Sequence, residues 1–288
     1  MSAWTHDLPG LIYGLVVGIS LGLTGGGGSI FAVPLLIYGL GVPVRAAIGL
    51  SLAAVGVTAG FGAALRLKAR EIEVVPGLIF AGGGMAFAPL GTWLGRFVPP
   101  AVLLSVFAVL MSCVGWRMWR GKAETGVTPG PCVTRGGGRL GPGCYARLIG
   151  AGAAAGVLSG LFGIGGGFII VPALLYVTGT GIHRAVATSL LVIFLISLSG
   201  VAATVLHGQA FPMPVSALFV AGGFAGMLLG GRWRSRLSGP ALRKVFAAAM
   251  WLVGAYMLAR NLPAFFNRPT SELATASATH ALSQIDKP

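Results

Sequence analysis

The chain has 288 residues, of which 55% are hydrophobic and only 9% charged, and its formal net charge is +14. Soluble domains carry roughly 25% charged residues, so a water-soluble globular fold is excluded. The excess of base does not point to nucleic acid either, because the lysines and arginines lie between apolar stretches, as membrane loops require, and form no stripe interleaved with exposed aromatics.

Residues 1–9 form an N-terminal tail with no basic n-region and no small-residue cleavage site, so the first apolar segment is expected to stay in the membrane. A run of about 20 uncharged residues is long enough to cross the hydrocarbon core as a helix. Eight such segments occur: 10–40, 46–65, 74–95 and 97–116, then 148–182, 185–206, 213–231 and 245–259. Between the two groups, residues 117–147 are rich in Gly, Pro and Arg, lack a hydrophobic period, and read as a basic cytoplasmic linker. Cys132 and Cys144 in this linker match no zinc or thioredoxin spacing, and Cys113 falls within a span. The polar stretch 261–288 is expected to be a disordered tail. The fold class is all-α and polytopic, embedded in the lipid bilayer.

The two groups of segments are related. "GGGGSIFAVPLLIY" (25–38) aligns with "GIGGGFIIVPALLY" (163–176) at an offset of 138, and each is followed by a similar stretch, "RAAIGLSL" (45–52) or "RAVATSL" (184–190). The chain therefore reads as two homologous halves, transmembrane repeats 10–116 and 148–260, each opening with a glycine-broken segment. Secondary transporters are commonly duplicated in this way, with discontinuous helices from both halves meeting at the substrate site.

Four glycines and a proline at membrane depth release backbone groups that lipid cannot satisfy, so they must face protein, water or a ligand. A glycine run that opens a half-helix aims several N–H groups and a positive dipole end at one point, which suits an anion. The candidate substrate-binding residues are accordingly Gly25, Gly26, Gly27 and Gly28 with Ser29, and Gly163, Gly165, Gly166 and Gly167. Arg45 and Arg184, which open the next segments, can attract an anion, and Ser51, Thr188 and Ser189 can donate hydroxyls. Gly18, Gly22, Gly222, Gly226 and Gly230 read as helix-packing positions. No lysine follows the glycines as a phosphate-binding loop needs, and no G-x-S-x-G marks a hydrolase, so neither an enzyme nor a bound cofactor or metal is expected.

These paired motifs, "GLTGGGGSIFAVPLL" with "RAAIGLSL" and "GLFGIGGGFIIVPAL" with "RAVATSLL", resemble the sulfite exporter TauE/SafE family of membrane permeases over about residues 10–260. The resemblance implies a bacterial inner-membrane protein that moves a small anion such as sulfite or an organosulfonate. Uptake of another small sulfur-containing anion, or of a metal cation, is the alternative.

All six acidic residues, Asp7, Glu71, Glu73, Glu124, Glu272 and Asp286, fall in loops or termini. No span carries a carboxylate to relay protons or hold sodium. An anion needs none for export, since an inside-negative potential supplies roughly 2.3 kcal/mol per 100 mV per charge. Eight plain crossings would divide the basic residues 12 to 8 between the two faces, whereas re-entrant hairpins at 10–40 and 148–182 would divide them 15 to 5 and invert the halves. The larger bias fits the positive-inside rule better.

Overall fold

A computed structural model describes residues 4–120, 142–163, 165, 167–179, 181–206, 213–233 and 239–266. Among these residues the chain is all-helical, with no strand. Helix α1 (Trp4–Thr24) is followed by a half-helix built from a 3-10 turn (Gly27–Phe31), one α-turn (α2, Ala32–Pro34) and a π-turn (Leu35–Gly39). Pro34 has no N–H to give the helix, and the wider π-turn begins immediately after it. The first half continues with α3 (Val44–Lys68), α4 (Val74–Leu94) and α5 (Pro100–Arg120). The second holds α6 (Pro142–Phe162), a half-helix α7 (Gly167–Thr178), α8 (Ile182–Leu206), α9 (Met213–Trp233) and α10 (Gly239–Phe266).

Several helices overrun the boundaries expected from hydropathy. Helix α1 begins at Trp4, so Asp7 is helical and the N-terminal tail is shorter than 1–9; α5 ends and α6 begins inside 117–147, and α10 runs beyond 260 to Phe266. Backbone hydrogen bonding continues past the charge-free segments, because isolated polar residues such as Asp7 and Asn261 still tolerate a helix. The remaining linker residues, the 207–212 loop and the 267–288 tail lie outside the described residues.

The segment 10–40 is a hairpin. A Cβ on Gly28 would strike Ser20 and Leu21, and one on Gly39 would lie 2.5 Å from the Tyr13 ring, so the half-helix returns alongside α1. Helix α7 in turn packs on α6 and α8.

Glycines decide which helices meet. Gly14, Gly18 and Gly22 of α1 abut Phe219, Gly223 and Met227 of α9, so the two run parallel in backbone contact. Gly152, Gly156 and Gly160 of α6 abut Phe80, Gly84 and Ala88 of α4 in the same way. Without a hydrophobic force between helices in lipid, this close approach supplies the packing energy. Helices α3 and α8 cross the centre antiparallel, with Gly56 against Ser197, Gly60 against Phe194 and Gly62 near Leu190. Leu50, Leu52, Leu190, Ile193 and Ile196 between them are fully buried. The outer surface carries Leu206, Leu252, Phe97 and Leu8 at 85%, 73%, 68% and 66% exposure, an apolar coat of the kind a membrane protein presents to its surroundings.

Four described helices are both long and apolar enough to cross a membrane: Val44–Lys68, Val74–Leu94, Gly143–Phe162 and His183–Leu206. In the other long helices the apolar stretches are shorter, Leu8–Thr24, Pro100–Trp116, Ala217–Trp233 and Ala247–Arg260.

Candidate functional site

The two glycine breaks meet. A Cβ on Gly26 would lie 2.6 Å from the Gly167 carbonyl oxygen, and one on Gly167 an equal 2.6 Å from Gly26. Two half-helix N-termini, from Gly27 and from Gly167, therefore start side by side. Glycine is obligatory here for two reasons. Gly25, Gly163 and Gly165 have φ of 71°, 72° and 66°, which side chains disfavour, and the tips leave no room for a Cβ.

The first tip is held by several side-chain hydrogen bonds. Thr24 Oγ1 donates to the Ser20 carbonyl at 2.7 Å and accepts from the Gly28 N–H at 3.2 Å, which caps the half-helix. Ser29 Oγ donates to the Gly26 carbonyl at 2.7 Å. Ser189 Oγ, on α8, reaches the Gly25 carbonyl at 2.6 Å and the Val186 carbonyl at 2.8 Å.

The second tip differs. At the offset of 138, Phe162 stands where the first half has Thr24, and Gly167 where it has Ser29. Ser51 corresponds to Ser189, yet its buried Oγ has no hydrogen-bond partner. Two more buried hydroxyls, Ser159 and Ser197, are also unpartnered. Ser159 lies one helical turn before Gly163, whose N–H donates to its carbonyl at 2.8 Å. Ser197 Oγ is 3.3 Å from the position a Cβ on Gly165 would take, and Ser51 is one turn beyond Ile48, which abuts Gly163. An unsatisfied buried hydroxyl costs about 1–3 kcal/mol, so three around one break need a reason.

Other expected site residues lie elsewhere. Thr188 Oγ1 accepts from the Glu73 N–H at 3.0 Å and so holds the start of α4 rather than the tips. Arg45 is exposed and donates to the Arg96 carbonyl at 3.0 Å. Arg184, with its side chain 66% exposed, sits 3.8 Å from Glu73. Burial raises the Glu73 carboxyl above its usual range, and the neighbouring Arg184 only partly offsets this. Gly27 opens the 3-10 turn, while Gly166 lies outside the described residues.

Two cavities flank the tips at opposite ends. One of about 590 Å³ is lined by Gly62, Leu65, Arg66, Glu71, His183 and Arg232, among others. The other, about 40 Å³, is lined by Arg45, Gly49, Thr92, Gly160, Ala203 and Thr204, among others. The offset of 138 maps Leu65 and Arg66 onto Ala203 and Thr204, so the cavities occupy equivalent places in the two halves.

Sequence reasoning missed Thr24, Arg66, Ser159 and Ser197. Arg66 looked like an ordinary basic loop residue because it follows the apolar window; its spacing of four from Gly62 is the signal that puts it on the inner face of α3.

The family model described as sulfite exporter TauE/SafE matches residues 10–257. A probable membrane transporter protein of Xylella fastidiosa (strain Temecula1) is 35% identical over 252 residues, covering 86% of this chain and 93% of the relative. The probable membrane transporter proteins YdhB and YunE of Bacillus subtilis are 30% and 26% identical. The first alignment covers 64% of this chain and 73% of YdhB, the second 86% and 96% of YunE. No solved structure matches the chain significantly.

Proposed function

The chain belongs to the sulfite exporter TauE/SafE family and is a multi-pass membrane transporter, and from that premise we propose that it exports a small oxyanion, sulfite or an organosulfonate, bound where the hairpin tips meet. The observation that carries this reading is the second tip. There the Ser197 hydroxyl lies beside Gly165, and Ser51 and Ser159, whose hydroxyls are likewise buried and unpartnered, come from the stretches of α3 and α6 that contact or lead into Gly163. An oxyanion with several acceptor oxygens would satisfy the hydroxyls and the dipole end together.

The driving force in this reading is the membrane potential, about 2.3 kcal/mol per charge at 100 mV. Purified protein in liposomes should move sulfite or sulfoacetate under an imposed potassium-diffusion potential without a proton or sodium gradient. A strict need for either gradient would end uniport. Flux of a divalent metal cation with no flux of any oxyanion would overturn the substrate class.

The orientation follows from charge. The parallel contacts of α1 with α9 and α4 with α6, and the antiparallel crossing of α3 and α8, support two inverted halves, each with a hairpin and three crossings. The wide cavity then shares a face with 66–73, the linker, Arg184 and 232–244, which hold 15 basic residues against 5 opposite, so this face is cytoplasmic. Cys144 is disulfide-bonded, which would suit an oxidising compartment, but a single bridge weighs less than this charge bias. In a variant lacking Cys113, Cys132 and Cys144, an impermeant thiol reagent applied to intact cells should label Phe97→Cys and spare Ala69→Cys. The opposite pattern would turn the protein over.

A further inference from the structure

Arg66 is an unusual arginine. It is 9% exposed, lines the wide cavity, and comes from the last turn of α3. Its Nη2 donates to the Gly22 carbonyl at 3.2 Å, two residues before the first tip. Its Nη1 is buried and makes no hydrogen bond, with the Glu71 carboxylate 3.8 Å away on a side chain 48% exposed. A guanidinium has five N–H donors in a fixed fork, and both of those on Nη1 are unused. Burying such a charge is unfavourable unless it is well paired, and a half-exposed carboxylate beyond hydrogen-bond reach pairs it poorly.

Resting on the reading of the chain as an oxyanion exporter, we propose that Arg66 is an oxyanion-binding residue at the inner end of the wide cavity, with Glu71 as its displaceable counter-ion. The planar fork matches two oxygens of a sulfite or sulfonate group, which a lysine cannot match in the same way. The anion enters the cavity, displaces Glu71 from Nη1, and is held beside the first tip before it reaches the hydroxyls around the second. At the equivalent place in the narrow cavity stands Thr204, whose hydroxyl already donates to the Gly200 carbonyl at 2.8 Å. The narrow cavity takes its charge from Arg45 and Arg96 instead, and Arg45 is exposed and already donates to the Arg96 carbonyl, so the buried arginine at this position belongs to one half only.

The test is sulfite flux against concentration in liposomes of purified protein, with and without anionic lipid. Arg66→Gln should raise KM at least tenfold, Arg66→Lys should recover part of that loss, and Glu71→Gln should lower KM by removing the competing carboxylate. A monodisperse Arg66→Gln protein with the wild-type KM overturns the assignment, and Glu71→Gln with a raised KM removes the counter-ion role. If Arg66→Gln does not fold, Arg66→Lys and Glu71→Gln decide between the same outcomes. An Arg66 effect that appears only with anionic lipid assigns the residue to a lipid headgroup and also overturns the proposal. Wild-type protein that moves no oxyanion refutes the functional reading itself, an outcome distinct from a normal Arg66→Gln.

Discussion

Ser189 and Ser51 occupy matching positions in the two halves and do different work. Ser189 ties α8 to the first tip through the Gly25 carbonyl, whereas the Ser51 hydroxyl is buried and unpaired. Removing a made hydrogen bond costs about 1 kcal/mol, and removing an unsatisfied hydroxyl costs nothing or is mildly stabilising. Ser189→Ala should therefore lower the thermal unfolding midpoint in detergent. Ser51→Ala should leave that midpoint unchanged or raised, yet weaken anion transport through a higher KM. Equal effects on stability would show that the two hydroxyls are not distinguished as described. Both serines could be picked out from the sequence as hydroxyls beside the glycine breaks. Their difference was not legible there, because it lies in the folded geometry, which brings the Gly25 carbonyl within reach of Ser189 and leaves Ser51 without an acceptor.

At the level of elements, glycines serve two ends. Along α1 and α9 they let backbones touch, and a side chain on Gly226 would run into the Leu15 carbonyl. Gly226→Leu should prevent the seam from closing and lose folded protein, as read by size-exclusion elution. At the tips, Gly26→Ala would push against the Gly167 backbone while leaving the outer seams intact, so folded protein should persist and flux should fall. Normal flux in Gly26→Ala would remove the tip contact from the transport path. The periodic glycines of α1 and α9 were readable as packing positions because their spacing follows a helix face. That the tip glycines face one another was not readable, since it needs the antiparallel crossing of α3 and α8 to bring two distant segments together. Arg45 and Arg184 mark a further limit: Ile48 and Val186, a turn or less further on, touch the tip glycines, but the two arginines lie on the exposed sides of their helices, beside the Arg96 carbonyl and Glu73.

For the whole molecule, composition and repeat sufficed to expect an all-helical membrane protein. The helix ends and the depth of the hairpins did not follow from hydropathy, because backbone hydrogen bonding rather than apolarity ends a helix. The inequality of the two cavities, about 590 against 40 Å³, was equally hidden, as it belongs to a conformation and not to a composition. The parallel seams carry a consequence for biosynthesis. Helix α1 finds its partner in α9, and α4 finds its partner in α6, so each half completes the other's outer wall. When the ribosome has finished the first five helices, the face of α1 bearing Gly14, Gly18 and Gly22 still lacks its mate, which emerges more than a hundred residues later. The nascent first half must wait in the membrane, its small-residue groove filled only by lipid or an assembly factor. Residues 1–130 made alone should accordingly be degraded, while co-production with residues 131–288 as a separate chain should rescue both, measured by their co-purification. A first half that accumulates stably without its counterpart would show that the seam is not needed to escape quality control.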